Sequence, residues 1–309
     1  MLMDLFILSP NMDALFTKND LARLQGFDNI ILEKTIQPLE NIQSLFTGNQ
    51  ERILAIDPDF CNWKFPQEII AKIPHLKAIC LQTTSFSWID KDFAKKKGIP
   101  VTNLRGFSMT AVAEWAILMM FNVARKLPLV IKDGWKQDFV KHQGIELQGR
   151  TAGIIGLGNN GKAIAEKAQG LGMNIIYWSR QSRDKRFTYV ELPELMKTAD
   201  VIFPTTAQNE QTQGLLPNQL LETMKKEALF ISTIHKIYDH EFMLQLVKKG
   251  KIYGYAFEEG NTNITKYEGN VWAGPELAWC TDGSMKKNAE LWVESIIQAQ
   301  QGKFPTQIN

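Results

Sequence analysis

Cysteine is scarce in this sequence: three in 309 residues, Cys61, Cys80 and Cys280, far apart and without any C-x-x-C pair. An odd, scattered set excludes a disulfide framework and offers no zinc-ligand spacing; it fits a reducing cytoplasm. Neither sign of charge is in excess. The 35 Lys and Arg nearly balance 33 Asp and Glu, and the basic residues are not gathered into a stripe able to track phosphates, so nucleic acid is not an expected partner. Long apolar runs are missing too. The opening MLMDLFILSP is apolar, but it contains Asp4, has no basic n-region and is far shorter than a membrane span, so it reads as a β-strand and no membrane partner is expected. Low-complexity tracts and short fixed-period repeats are also absent.

What is present is apolar residues, 44% of the chain, enough to bury a sizeable core. A chain of this length is expected to form two domains of an α/β protein. Up to about Pro100, the runs DLFILS, NIIL, ILAID, LKAICLQ and IPVTN read as strands, with helical segments such as FPQEIIAKI between them. Strands alternating with helices imply a parallel sheet covered on both faces. The stretch TAVAEWAILMMFNVARKL, Thr110 to Leu127, holds no Gly or Pro and is apolar nearly all round; such a helix is expected to be buried, Met109, Met119, Met120, Trp115 and Phe121 serving as packing. A second series follows, TAGIIGLG, MNIIYWS, DVIFPT, LFISTI and IYGYAF, closed by a long amphipathic helix, SMKKNAELWVESIIQAQQG.

GIIGLGNNG carries Gly156, Gly158 and Gly161 as G-x-G-x-x-G between an expected strand and an expected helix. In that setting the first glycine permits the tight turn, the second lets backbone approach a pyrophosphate, the third admits close helix packing, and the helix N-terminus offers free N–H groups to the anion. Asn160 stands where an apolar residue usually anchors the helix. The following strand ends in IIYWSRQSR, where a carboxylate normally meets the adenosine ribose. Ser179 and Arg180 stand there instead, with Arg183 as a second cation. A hydroxyl and guanidinium groups bind a 2′-phosphate that a carboxylate would repel, so NADP is the expected cofactor, with NAD the alternative. The competing reading is arginines solvated on a surface loop.

Over almost its whole length the chain resembles D-isomer-specific 2-hydroxyacid dehydrogenases of the phosphoglycerate dehydrogenase and hydroxypyruvate reductase type. The segments that carry the likeness, in order, are VTNLRGFSMTAVAEWAILMM, ELQGRTAGIIGLGNNGKAIAEKAQGLGMNIIYW and NEQTQGLLPNQLLETMKKEALFIST. The resemblance implies two Rossmann-like domains with parallel sheets and an interdomain cleft. One is a flavodoxin-like substrate domain from residues 1–103 and 281–309, the other a dinucleotide-binding domain from 104–280. It also implies a small-molecule substrate and a homodimer packed through the cofactor domains. Besides the three glycines, it places Asn159, Asn160, Thr206, Ala207, Thr212, Thr233, Ile234 and Glu258 on the cofactor, and Thr83, Thr84 and Ser85 on the substrate carboxylate.

In that family an arginine and the N–H groups of a glycine-containing loop hold the substrate carboxylate, and a histidine supported by a glutamate shuttles the proton. Here the arginine position is His235, followed by Lys236; the histidine of the family's Pro-His pair is Glu276 in GNVWAGPELAW; the supporting glutamate falls near Asn263; and the substrate loop lacks its glycine. Two readings follow. In the first, the enzyme has a rearranged site: His235 and Glu276 exchange places as a pair, Glu276 raises the histidine pKa, and Lys236 helps to hold an oxo acid. Glu276 would repel a carboxylate by on the order of a few kcal/mol, which favours a neutral carbonyl. In the second, the protein keeps its dinucleotide site as a sensor or partner protein without the family reaction. The other histidines, His75, His142 and His240, read as solvated or hydrogen-bonded, and no metal site is expected.

Overall fold

The structure, a computed structural model, describes residues 3–209, 211–260 and 263–309. It divides into two units, Met1–Ser108 with Thr281–Asn309, and Met109–Cys280.

In the first unit, strands β1 (Met3–Leu8), β2 (Asn29–Glu33), β3 (Glu51–Ile56), β4 (Leu76–Leu81) and β5 (Val101–Thr102) form a parallel sheet in the order β2-β1-β3-β4-β5. Its continuous apolar strands are what burial on both faces requires. Side chains alternate across the pleat: Phe6, Leu8, Leu54 and Ile56 enter one core, while Leu5, Ile7, Ile53 and Ala55 enter the other. The second core is closed by the Asp282–Gln300 helix through Trp292, Val293 and Ile296. Thr281 caps that helix by accepting the Ser284 N–H, and the buried Trp292 donates its Nε1–H to the Cys80 carbonyl at 3.0 Å.

The second unit holds seven parallel strands: β6 (Thr151–Ile155), β7 (Asn174–Trp178), β8 (Thr188–Tyr189), β9 (Val201–Pro204), β10 (Leu229–Ser232), β11 (Gly254–Glu258) and β12 (Val271–Gly274). Their order is β12-β11-β10-β9-β6-β7-β8. The order reverses between β6 and β9, the point beyond whose carboxyl ends an open α/β sheet binds ligands.

The Met109–Ala124 helix packs Ala113, Ala116, Met119, Met120 and Val123 onto Ala152, Ile154, Leu229 and Ile231. The expectation of burial all round is corrected on its far side, where Leu118 and Phe121 are exposed within this chain. Among the described residues no helix is long and apolar enough to cross a membrane.

Candidate active site

The three glycines meet three different constraints. Gly156 follows β6 at φ +101°, and a Cβ there would lie 2.7 Å from Thr206 Cγ2 and 2.9 Å from its backbone N. A Cβ on Gly161 would lie 2.1 Å from the Gly156 carbonyl oxygen, so the helix Asn159–Gly170 approaches the turn as closely as it does only because that side chain is missing. Gly158, the helix N-cap, differs: nothing lies within 4 Å of where its Cβ would stand. Its missing side chain therefore leaves open space beside the first N–H groups of a helix, where a diphosphate would lie. Beside this loop the Thr206 hydroxyl is buried without a partner. An orphaned hydroxyl at this place fits a bound dinucleotide, because burial without a hydrogen bond is otherwise costly. Thr212 is placed otherwise: fully buried, it donates to the Ala207 carbonyl at 2.6 Å and braces that loop from within.

At the end of β7, Ser179 is buried and its Oγ accepts the Ser182 N–H at 3.2 Å. The Arg183 guanidinium lies 4.3 Å from the Tyr189 ring centroid and donates to the carbonyls of Ser179 (2.8 Å) and Ser182 (2.9 Å). Arg180 is exposed and reaches Gln211 Oε1 at 3.3 Å. The nearby carboxylate, Asp184, is already committed to Arg186 at 2.7 Å and lies 3.8 Å from Lys162. The Arg186 hydrogen bonds hold its pKa down to about 2.

The carboxyl ends of β10, β11 and β12 carry the titratable groups. After β10 the chain turns on Ser232, whose Oγ donates to the Ile234 carbonyl and accepts the Ile234 N–H. Thr233 and Ile234 are half-buried; His235 and Lys236 are exposed. One side chain, Gln208, fixes this turn: its Oε1 accepts the N–H of His235 at 3.0 Å and of Lys236 at 2.9 Å. Glu258, at the end of β11, is 7% exposed and accepts the Ala278 N–H at 2.9 Å. Burial, with the Glu276 charge adding to it, pushes its pKa up to about 7.

Glu276 and Glu259 both act electrostatically on His235, yet the ring, though exposed on one side, loses enough solvation against the protein to outweigh them, which leaves its pKa below the ordinary value. The expected upward shift is thereby reversed. The exchanged pair is also not hydrogen-bonded: among the described residues no hydrogen bond or ion pair joins His235 to Glu276, and no carboxylate pairs with Lys236. Asn263 does not stand in for a supporting carboxylate, because its Oδ1 caps a local turn by accepting from Thr265. Glu259 is the second carboxylate whose charge reaches His235. It is oriented by the Tyr267 hydroxyl at 2.5 Å and by Lys266 at 3.3 Å. His240, exposed to the His235 charge, has its Nδ1 2.8 Å from the Tyr255 hydroxyl, which lies 2.8 Å from that of Tyr238.

In the first unit, Thr83, Thr84 and Ser85 follow β4 on a loop held from beneath by Gln82 and Asn288, a buried pair bonded at 2.8 and 3.0 Å. Among the described residues no group of three or more His, Cys, Asp or Glu is arranged to hold a metal ion.

Residues 117–277 match the family model described as D-isomer specific 2-hydroxyacid dehydrogenase, NAD binding domain. The chain belongs to the D-isomer specific 2-hydroxyacid dehydrogenase family. It is similar to the glyoxylate reductase of Thermococcus litoralis, 30% identical over 263 residues covering 78% of this chain and 79% of that one, and to the glyoxylate reductase of Pyrococcus furiosus, 26% identical over 294 residues covering 88% and 84%. Solved structures share the fold: a glyoxylate reductase from Paecilomyes thermophila (TM-score 0.83, 21% identity, 99% and 98% covered) and an acyclic imino acid reductase in complex with NADPH and D-Arg (TM-score 0.83, 24% identity, 99% and 100% covered). This 2-hydroxyacid dehydrogenase family member is an NAD(P)-dependent oxidoreductase acting on a small molecule, with hydride passing between a nicotinamide and a 2-hydroxy or 2-oxo acid or related carbonyl.

Proposed function

We propose that this protein is an NADPH-dependent reductase of a 2-oxo acid or related carbonyl, with His235 as the proton donor. The observation that carries this reading is the electrostatic cluster of His235, Glu276 and Glu259 at strand ends of the sheet that also bears the glycine loop. The cofactor, when bound, supplies the hydride. Gly156, Gly158, Asn159, Asn160 and Gly161 line its diphosphate, Thr206 and Ala207 border it, and Thr233, Ile234 and Glu258 flank its nicotinamide. With a pKa of about 7, Glu258 is partly protonated at neutral pH and can donate a hydrogen bond there. Glu276 and Glu259 stabilise the imidazolium that donates the proton, Gln208 holds the turn bearing it, and Lys236 offers a second cation. Turnover of NADPH on a panel of 2-oxo acids, aldehydes and ketones tests the reading.

Preference for NADPH rests on Ser179, Arg180 and Arg183. Arg183 is held by backbone carbonyls and an aromatic face, so little ordering remains to be done when a 2′-phosphate arrives. Replacing both arginines by alanine is expected to weaken NADPH binding at least about tenfold and to leave NADH binding unchanged, since each charge-assisted bond contributes roughly 1.5–3 kcal/mol. Fluorescence titration of both cofactors checks this. Native protein that binds NADH as tightly as NADPH contradicts the preference.

We place a homodimer contact on the second unit. Trp135 is 67% exposed and Phe139 and Val140 are each 87% exposed, with Leu118 and Phe121 also bare. So many large apolar side chains within one short stretch mark an association surface, and a second copy is the occupant we assign. Phe139→Glu with Val140→Lys is expected to give a monomer by sedimentation while the native protein is a dimer. A native monomer at micromolar concentration would overturn this assignment.

A further inference from the structure

A lysine ammonium taken out of water needs acceptors for its N–H groups, and Lys132 is half-buried with no carboxylate beside it among the described residues. Burial lowers its pKa accordingly. It ends the Leu127–Lys132 helix and donates from Nζ to two carbonyls far along the chain, Tyr267 at 2.5 Å and Gly269 at 2.8 Å. The same short segment is pinned twice more. The buried Asn270 donates to the carbonyls of Val123 at 2.8 Å and Tyr253 at 3.1 Å. Gly269, at φ +75°, lies so close to the His240–Lys248 helix that a Cβ there would stand 2.8 Å from Val247 Cγ1. Residues 267–270 are therefore fixed against three helices at once.

That anchoring leads to one hydroxyl. The Tyr267 ring packs edge-on against Phe257, centroids 5.3 Å apart, and its O–H donates to Glu259 Oε2 at 2.5 Å. The Glu259 backbone is held as well, its N–H donating to the Gly274 carbonyl at 2.8 Å. The tyrosine bond is the largest cause that keeps the Glu259 pKa below the ordinary value. Lys266 also reaches Glu259, at 3.3 Å, but on a side chain 60% exposed, where solvent screens the pair. Without the tyrosine, a carboxylate just past a strand end would spread over several rotamers and its average field on a neighbour would fall. Held as it is, it acts on both His235 and His240. Glu276 also faces His235, whose chain neighbour is Lys236; Glu241, Asp239 and His235 itself face His240.

We propose that Tyr267 and Lys132 are positioning residues for the proton donor: Lys132 fixes the backbone of Tyr267, and the tyrosine hydroxyl keeps the Glu259 carboxylate beside the His235 imidazole. The role of His235 comes from the reductase reading, so the first measurement needs no turnover. The chain has four histidines, His75, His142, His235 and His240, and proton NMR titration of the full chain, assigned by single replacements, reads each midpoint. Tyr267→Phe is expected to lower the His235 midpoint by about 0.5 pH unit, because a freed carboxylate stabilises the imidazolium less. Lys132→Met is expected to lower it by a smaller amount, and Lys132→Arg to stay close to the native value. In Glu259→Gln protein, where no carboxylate remains to be held, Tyr267→Phe is expected to change nothing, whereas a merely structural tyrosine would act in both backgrounds. In turnover, the fall in rate with rising pH is expected to move to lower pH in Tyr267→Phe by the same amount, with NADPH affinity unchanged. An unchanged His235 midpoint in Tyr267→Phe, or an equal shift in the native and Glu259→Gln backgrounds, overturns the proposal. A shift that depends on Glu259, with no carbonyl ever reduced, upholds the positioning and sinks the reductase reading alone.

Discussion

Gly158→Ala is expected to leave the protein folded while costing about 100-fold in dinucleotide affinity, whereas Gly161→Ala is expected to damage the fold itself. The two residues lie three apart, one capping the Asn159–Gly170 helix and the other in its first turn, so the contrast separates binding from stability. At Gly158 the backbone is extended, with φ −79°, and the added methyl would meet no protein atom within 4 Å. Its cost falls on whatever approaches that space, and a backbone that must meet a pyrophosphate closely tolerates little displacement. At Gly161 the methyl would stand 2.1 Å from a backbone oxygen, and neither the helix nor the turn has a flexible side chain to move aside. Overpacking of this kind costs about 3 kcal/mol. Thermal melts and NADPH titrations of both variants check the pair. If Gly158→Ala bound NADPH as tightly as the native protein, the diphosphate would not lie where the loop implies.

His235→Gln is expected to lower kcat for carbonyl reduction by about 10²- to 10⁴-fold, the usual worth of a positioned proton donor, with NADPH affinity unchanged. The pH dependence has a defined sign. A donor works when protonated; His235 titrates below its ordinary 6.5 and Glu258 near pH 7, so reduction begins to slow below pH 6.5 as His235 loses its proton and slows further through about 7, while oxidation of the alcohol gains as His235 becomes neutral. Glu258→Gln is expected to remove the part of that limb near pH 7. The same carboxyl links pH to stability. Its folded pKa, about 7, lies above the ordinary 4.5; the contribution is therefore fully present below about 4.5 and is lost as pH rises through about 7, amounting to roughly 3 kcal/mol. Glu258→Gln should flatten that dependence in denaturant melts. A pH–rate profile identical in native and Glu258→Gln proteins would show that this carboxyl does not titrate with catalysis.

Much of the α/β architecture was legible because its signals are local. DLFILS, ILAID and LKAICLQ are continuous β-prone runs, and the sheets place them at β1, β3 and β4; the glycine spacing likewise sits at the turn from β6 into a helix. Short elements were not legible: β8 is two residues, Thr188–Tyr189, too few for any period to show. The candidate site was legible where one strand delivers one residue, as β10 delivers His235 to its own carboxyl end. Contacts between distant segments were not. Gln208 reaches the His235 turn across 27 positions, and nothing in TTAQNE distinguishes that amide from a solvated one. Thr212 reads as a cofactor contact but turns its hydroxyl into its own loop. The sign of the His235 shift also escaped, because the sequence displays the opposing charges while burial, the larger cause, is a property of the folded chain. Glu259, the second carboxylate of YAFEE, could have been found as the residue that follows the carboxyl end of β11.

The central claim is that a site in which Glu276 and Glu259 act on His235 reduces a carbonyl. Its most direct test is a single-turnover experiment. Native protein and His235→Gln, each loaded with NADPH, are mixed with a panel of 2-oxo acids, and nicotinamide absorbance is followed. The account predicts oxidation of NADPH by at least one oxo acid in the native protein and a rate at least about 100-fold lower in the variant. Tight NADPH binding with no oxidation by any member of the panel would contradict it.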